Sequence, residues 1–150
     1  LKDFEERWKS FQEKQEEFQK KYRQLSLIIP KIEARKNWTQ GIQYCNEILP
    51  LLVFLGRSEE FQKWWNYRQL FLQNIPKNTP NEGYLYRSIE LTDYPELLLK
   101  ANALESKDKP QAKTFLAFCL ALYLVNETDF LSLYPKRKHD KNILIARLRA

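Results

Sequence analysis

The sequence predicts an all-α protein, a helical bundle of about six helices with a long N-terminal helix. Apolar residues recur every three or four positions along most of the chain, and no segment is a convincing strand. With 150 residues, 43% of them apolar, the chain has the length of one typical domain. We therefore expect a single helical domain over 1–150, with 135–150 as a basic C-terminal tail or a docking helix.

The first helix is marked by a heptad seam whose members lie alternately four and three positions apart: Phe4, Trp8, Phe11, Gln15, Phe18, Tyr22, Leu25 and Ile29. We expect this helix to run from about Asp3 to Ile29 and Pro30 to end or kink it. A compact bundle of this size does not need so long a helix. The seam must then be covered by the rest of the chain or by a partner helix, and the candidate partner contacts are Phe4, Trp8, Phe11 and Phe18.

Two further helices are predicted before residue 76. Asn37 is the expected N-cap of the second, Gly56 its C-terminal stop, and Pro50 a residue that should kink or split it. Ser58 is the expected N-cap of the third, which carries acidic residues in its first turn and ends near Asn74.

The second half of the chain is punctuated by proline and acidic residues. Residues 76–83 form a predicted loop, and 84–91 suits either a short strand or a helical turn, with the helical turn preferred. Asp93 and Asp108 each open a helix with an early proline, the first ending near Leu104 and the second being the most apolar of the chain. Thr128 or Asp129 is expected to cap a further turn through residue 134, and 142–149 forms a last amphipathic helix.

The net charge of +6 is concentrated in two segments. Residues 20–36 hold six basic side chains against one acidic, and 135–150 hold six against one, whereas the remainder is slightly acidic. Two basic zones on an acidic body favour phosphate-backbone binding; solubility and a frayed basic tail are the alternative reading. The candidate nucleic-acid contacts are Lys20, Lys21, Arg23, Lys31, Arg35, Lys36, Lys136, Arg137 and Lys138.

Basic and aromatic residues interleave in three short runs, 20–23, 35–38 and 63–68. On a helix, the rings of such a run can face the core while lysine and arginine reach outward, so we expect backbone contacts from the basic residues and no base stacking by the rings.

The residues needed for catalysis or metal binding are scarce. The single histidine, His139, lies among basic residues, and the two cysteines, Cys45 and Cys119, are 74 positions apart in apolar helical stretches. Three glycines cannot form a glycine-rich phosphate loop. We expect a protein that is not an enzyme, binds no metal and needs no cofactor, with both cysteines as buried thiols.

The longest apolar stretch, 115–125, is far shorter than the roughly 20 residues that span a bilayer, and the N-terminus is charged. These features predict a soluble, cytoplasmic protein. Because the chain contains no methionine and begins with Leu1, we expect a cut fragment, a trimmed product or a piece made from an internal start.

A short, basic, all-helical chain without catalytic residues resembles the helical small subunits of class 1 CRISPR effector complexes. That resemblance implies copies stacked in a multiprotein complex, which hold a guide–target duplex or the displaced strand through basic side chains without cutting it. The main contacts would be Lys20, Lys21, Arg23, Arg35 and Lys36, with the 136–138 run as auxiliary contacts.

A second resemblance is local. The run from Asn37 to Arg68, with Trp38, Leu49 and the pair Leu55-Gly56, looks like one unit of a tetratricopeptide-type helical repeat. It implies peptide binding in a concave groove. A scaffold whose N-terminal heptad helix pairs with a partner is the third alternative.

Overall fold

The computed structural model describes residues 2–75 and 83–150. Over these ranges the chain forms seven α-helices and two 3₁₀ turns, and no strand. The helices are α1 (Lys2–Arg35), α2 (Trp38–Phe54), α3 (Ser58–Gln73), α4 (Tyr94–Leu104), α5 (Lys109–Val125), α6 (Glu127–Leu133) and α7 (Asp140–Arg149); the turns are Gly83–Tyr86 and Leu91–Asp93. The predicted all-α class with a long N-terminal helix is confirmed.

The predicted end of α1 at Pro30 is wrong, because the helix continues through that residue to Arg35. Pro30 has no N–H to donate to the preceding turn, but Ile29 and Ile32 on either side of it are both buried. Their packing against α2 offsets the missing hydrogen bond. The last helical residue is Arg35, and Lys36 directly after it adopts a left-handed φ of 57°, which stops the helix.

α2 passes through Pro50 without a break and stops before Gly56, whose φ of 73° is the left-handed conformation expected of a C-terminal glycine. The predicted stop at Gly56 is therefore confirmed. Ser58 was predicted to cap α3, but it is the first residue of that helix and Arg57 occupies the cap position without a side-chain capping bond.

Of the predicted 76–83 loop, residues 76–82 lie outside the described ranges and Gly83 begins a 3₁₀ turn. Asp93 and Asp108 do precede α4 and α5, and Asp108 Oδ1 accepts a hydrogen bond from the backbone N–H of Gln111 over 3.2 Å. The cap of α6 is Asn126 rather than Thr128 or Asp129, because the Asn126 side-chain oxygen accepts a hydrogen bond from the backbone N–H of Asp129, the third residue of the helix.

α5 lies at the centre of the bundle and packs against α2, α3, α4, α6 and α7. Every residue from Thr114 to Tyr123 is buried, so the prediction of the most buried helix is confirmed. Cys45 and Cys119 are both free, buried thiols, as predicted. Burial raises the pKa of each thiol to about 12.

Arg68 on α3 is fully buried, which contradicts the expectation that the basic residues of the 63–68 run reach outward. Its guanidinium donates hydrogen bonds to Asn46 and to the backbone carbonyls of Tyr84, Leu85 and Arg87, and it stacks against the ring of Phe118 at 4.5 Å. Burial lowers its pKa to about 10. The side chain thereby ties the 84–87 segment to the core.

Candidate functional site

Four of the predicted nucleic-acid contacts form one row on the solvent face of α1. The side chains of Lys20, Arg23, Lys31 and Arg35 are all exposed, and their spacings of three, eight and four positions place them on the same side of the helix. Arg23 and Lys31 are more than two turns apart, so the row consists of two pairs of basic residues. From Lys20 to Arg35 the row is about 22 Å long, the length of roughly six phosphates along one strand. We call these four residues the α1 stripe.

Packing on the opposite side of α1 forces the stripe outward. Leu25, Ile29 and Ile32 are buried, and the Tyr22 hydroxyl donates a hydrogen bond to the Glu60 carboxylate at the start of α3. The guanidinium of Arg57 covers the Tyr22 ring at 4.9 Å. Because one face of α1 is fixed in this way, the other faces solvent along the whole stripe.

The four stripe residues make no ion pair with any carboxylate in the part of the chain that the structure describes. The same helix face carries Glu13 and Glu17 on the turns before Lys20. The charge on this face therefore changes from acidic to basic at Lys20, and this face attracts a polyanion through the second half of α1.

The two remaining predicted contacts in this zone lie beside the stripe. Lys36 is exposed just after the last turn of α1. Lys21 is exposed on the side of α1 that borders a cleft between α1, α2 and the first turns of α5.

The C-terminal basic residues are not brought to the α1 stripe. α1 packs mainly against α2, whereas the 136–138 run lies against α4 and α5: Arg137 covers the Tyr94 ring at 5.2 Å, and Tyr123 donates to the carbonyl of Lys138 over 2.9 Å. Lys136 and Lys138 have exposed side chains. Arg137 is paired with Asp140 over 3.1 Å, which reduces its charge available to a phosphate.

The predicted partner contacts on α1 fall into two groups. Phe4, Trp8 and Phe11 are exposed, with 70%, 54% and 39% of their surface accessible, and we call α1 residues 2–17 the N-terminal arm. Phe18 is half-buried and meets the Phe54 ring edge-on at 4.6 Å. The body of the protein therefore covers the heptad seam from Phe18 onward and contacts it at Phe11, whose ring lies 6.0 Å from that of Phe54. Phe4 and Trp8 are left without such a contact.

Sequence reasoning missed three lysines that join Lys21 around the cleft beside α1. Lys14 comes from α1, and Lys109 and Lys113 come from the first turns of α5. The cleft has a volume of about 590 Å³. No local signal marks this cluster, because its two pairs of lysines are separated by about 90 positions of sequence. Only the packing of α1 and α5 on α2 brings the pairs together.

Among residues 2–75 and 83–150, no three metal-ligating side chains are grouped closely enough to hold a metal ion. His139 is exposed beside α7. No single helix in these ranges is long and apolar enough to cross a membrane; α5 and α6 reach that length only together and meet at a bend of 105°. Comparison of the chain with protein-family models, curated proteins and solved structures found no match.

Proposed function

We propose that this chain is a non-catalytic helical subunit that binds the phosphate backbone of nucleic acid. The observation that carries the proposal is the α1 stripe: four exposed basic side chains on one helix face, about 22 Å long, without a carboxylate partner in the described residues. Each phosphate that such a side chain neutralises releases condensed counterions, which drives binding without regard to base sequence.

The resemblance to the small subunits of class 1 CRISPR effector complexes extends this proposal to its setting. In that setting the chain is a cytoplasmic subunit of a multiprotein, RNA-guided complex in antiviral defence. It needs no cofactor, and its ligand is a guide–target duplex or a single strand. The buried thiols of Cys45 and Cys119 suit a reducing compartment.

The test is fluorescence anisotropy of a labelled single strand and a labelled RNA–DNA duplex, from low to physiological salt. The expected result is a log-affinity that falls linearly with log salt. Reversal of two stripe charges in Lys20→Glu/Lys31→Glu should weaken binding to every sequence and reduce the slope by about two.

The matched control is Lys63→Glu/Lys107→Glu, which changes the net charge by the same amount at exposed positions on α3 and after α4. Equal weakening by both variants would mean that overall charge, not the stripe, attracts the ligand. Absence of binding at low salt would refute the proposal for the isolated chain.

A protein-binding scaffold is the second candidate function, favoured by the bare aromatic seam of the N-terminal arm. Phe4, Trp8 and Phe11 are exposed in a heptad pattern, and Trp8 stacks on Phe11 at 5.9 Å, so a partner helix would find a continuous apolar strip. Sedimentation over a range of concentrations tests for self-pairing. Association that disappears in Phe4→Glu/Trp8→Glu, together with weak salt dependence, would support this function over the first.

A further inference from the structure

The cleft beside α1 has the size of a small-ligand site and a positively charged rim. Its volume of about 590 Å³ falls within the range of roughly 300–1,000 Å³ that is typical of ligand pockets. Lys14, Lys21, Lys109 and Lys113 line it, and none of them pairs with a carboxylate side chain within the described ranges.

The two acidic residues of the cleft offset only part of the positive charge of this rim. Asp108 caps α5, where its Oδ1 accepts a hydrogen bond from the backbone N–H of Gln111. Glu47 on α2 is exposed and forms no ion pair within the described residues. The half-buried Lys113 donates to the carbonyl oxygen of Ala150 over 3.1 Å. Four ammonium groups against two carboxylates leave the cleft positive, and an anionic ligand would relieve the repulsion among the lysines.

The pKa of Lys113 is lowered first by burial and then by the neighbouring lysines. Burial disfavours the charged form of its ammonium, and the nearby charges of Lys14 and Lys109 disfavour it further. An anion in the cleft would have the opposite effect and favour the charged form of Lys113.

The floor of the cleft is apolar and partly aromatic. Phe18, Phe54 and Tyr86 line it together with Pro50 and Leu51, and the Lys14 ammonium lies 5.9 Å from the Phe54 ring centre and 6.0 Å from that of Phe18. Phe18 and Tyr86 are half-buried, so part of each ring remains accessible. A ligand that fits must place an anionic group at the rim and a flat, apolar group on the rings.

A nucleotide of an unpaired strand has both groups, whereas a duplex offers only phosphates because its bases are stacked inside. Lys21 borders the cleft and follows Lys20 in the chain, about 100° around the α1 axis from it. A strand that lies along the stripe can therefore reach the cleft by curving around α1 near Lys20.

We propose that this cleft receives an unpaired nucleotide of a single strand whose backbone follows the α1 stripe, with its phosphate held by Lys14 and Lys109 and its base against Tyr86 and Phe18. The chain is then a single-strand binder rather than a duplex binder. This inference rests on the proposed function and adds the strand state of the ligand.

The test compares the anisotropy of labelled oligothymidylate, a duplex of equal length and polyglutamate, with a melting curve for each variant. The full chain should bind the single strand most tightly. Tyr86→Ala should weaken single-strand binding at least about fivefold, the lower limit for loss of one stacked base, and leave duplex binding unchanged. Tyr86→Phe, which keeps the ring, should bind like the original chain.

Lys14→Glu/Lys109→Glu should remove the preference for single strands over duplex. Equal or tighter binding of the duplex by the unaltered chain would overturn the inference, as would an unchanged single-strand affinity in a folded Tyr86→Ala variant. Polyglutamate that binds as tightly as oligothymidylate would assign the cleft to acidic peptides instead.

Thymidine monophosphate separates a strand from a free nucleotide. It should displace the strand only at concentrations far above the strand's own dissociation constant. Tight binding of the monophosphate that survives Lys20→Glu/Lys31→Glu would overturn the assignment to a strand. Loss of salt-dependent binding to every nucleic acid would refute the proposed function itself, an outcome distinct from these.

Discussion

Arg68 Nε donates a hydrogen bond to Asn46 Oδ1 over 2.7 Å in the interior of the protein. The amide nitrogen of Asn46 donates in turn to the carbonyl oxygen of Leu85 over 2.8 Å, and Arg68 Nη2 donates to the same oxygen over 3.1 Å. These bonds join α2, α3 and the Gly83–Tyr86 turn. Because the atoms are withdrawn from water, removal of one member leaves the others unsatisfied.

We expect Arg68→Met to lower the free energy of unfolding by about 3 kcal/mol or more, since Asn46 and the carbonyls of the 84–87 segment lose their donor. This free energy is measured by unfolding the chain in urea and monitoring the loss of helix by circular dichroism. The control is Arg23→Met, which removes an exposed guanidinium without an ion pair in the described residues and should change stability by at most about 0.5 kcal/mol. Similar losses in the two variants would contradict a structural role for the buried network.

Arg68 also illustrates what sequence can and cannot predict. Its spacing from Phe61, Trp64 and Trp65 places Arg68 on the buried face of α3. Its charge, however, predicts an exposed side chain. The carbonyls that accept its hydrogen bonds lie 16 to 19 positions further along the chain, and no local pattern reveals them.

Helix ends were predictable where one residue controls the backbone locally, as Gly56 and Asp108 do. The passage of α1 through Pro30 was not, because it depends on the burial of Ile29 and Ile32 in the assembled fold. The α1 stripe follows from residue spacing once the helix is known to continue. The cleft does not, because its lysines meet only through packing.

The thiols of Cys45 and Cys119 should resist alkylation at pH 8, because burial raises the pKa of each to about 12 and keeps both protonated and enclosed. In denaturing urea the alkylating reagent should modify both cysteines. Rapid modification of the folded chain would contradict this burial.

The raised thiol pKa values also predict a fall in stability above pH 9. Between pH 9 and 12 the thiols ionise in the unfolded chain but stay protonated in the folded one, so a rise in pH favours unfolding. Above about pH 10 the phenols act in the same direction, because burial raises the pKa of Tyr84, Tyr94, Tyr123 and Tyr134 and they ionise first in the unfolded chain. The contribution of the thiols is therefore separable only below that pH. The fall in stability should be measured between pH 9 and 10 as a decrease in the urea concentration at the unfolding midpoint. The variant Cys45→Ala/Cys119→Ala should show a smaller decrease over the same pH range.

Phe4→Glu/Trp8→Glu should leave the melting temperature of the isolated chain almost unchanged, because both side chains are mostly exposed on the N-terminal arm. Leu99→Glu, at an equally exposed position on α4, is the control. Phe11→Glu should be more harmful, since the Phe11 ring lies 6.0 Å from that of Phe54. A large loss of stability in the double variant would mean that the body covers the arm.

Gly41→Ala should destabilise the protein by roughly 1 kcal/mol. A Cβ at this position would lie 3.0 Å from Ile32 Cγ2 and 3.0 Å from Phe71 Cδ2, and overpacking of about 1–3 kcal/mol exceeds the gain in helix propensity of at most about 1 kcal/mol. Thr39→Ala, exposed in the same helix, is the control. The loss of stability caused by Gly41→Ala should be smaller when Phe71 is replaced by Leu. A Gly41→Ala variant more stable than the original chain would contradict the prediction, because it would mean that Ile32 and Phe71 can move aside at little cost.

Because α1 is one continuous helix, it holds its two ends at a fixed distance from each other. A partner held at Phe4 would stand about 46 Å along the helix axis from Arg35, a separation set by the rise per residue and not by a flexible linker. Removal of one residue from the exposed arm would shorten that separation by only about 1.5 Å but rotate Phe4 by about 100° around the axis. The distance and the phase between the aromatic seam and the basic stripe are thus both determined by the number of residues between them.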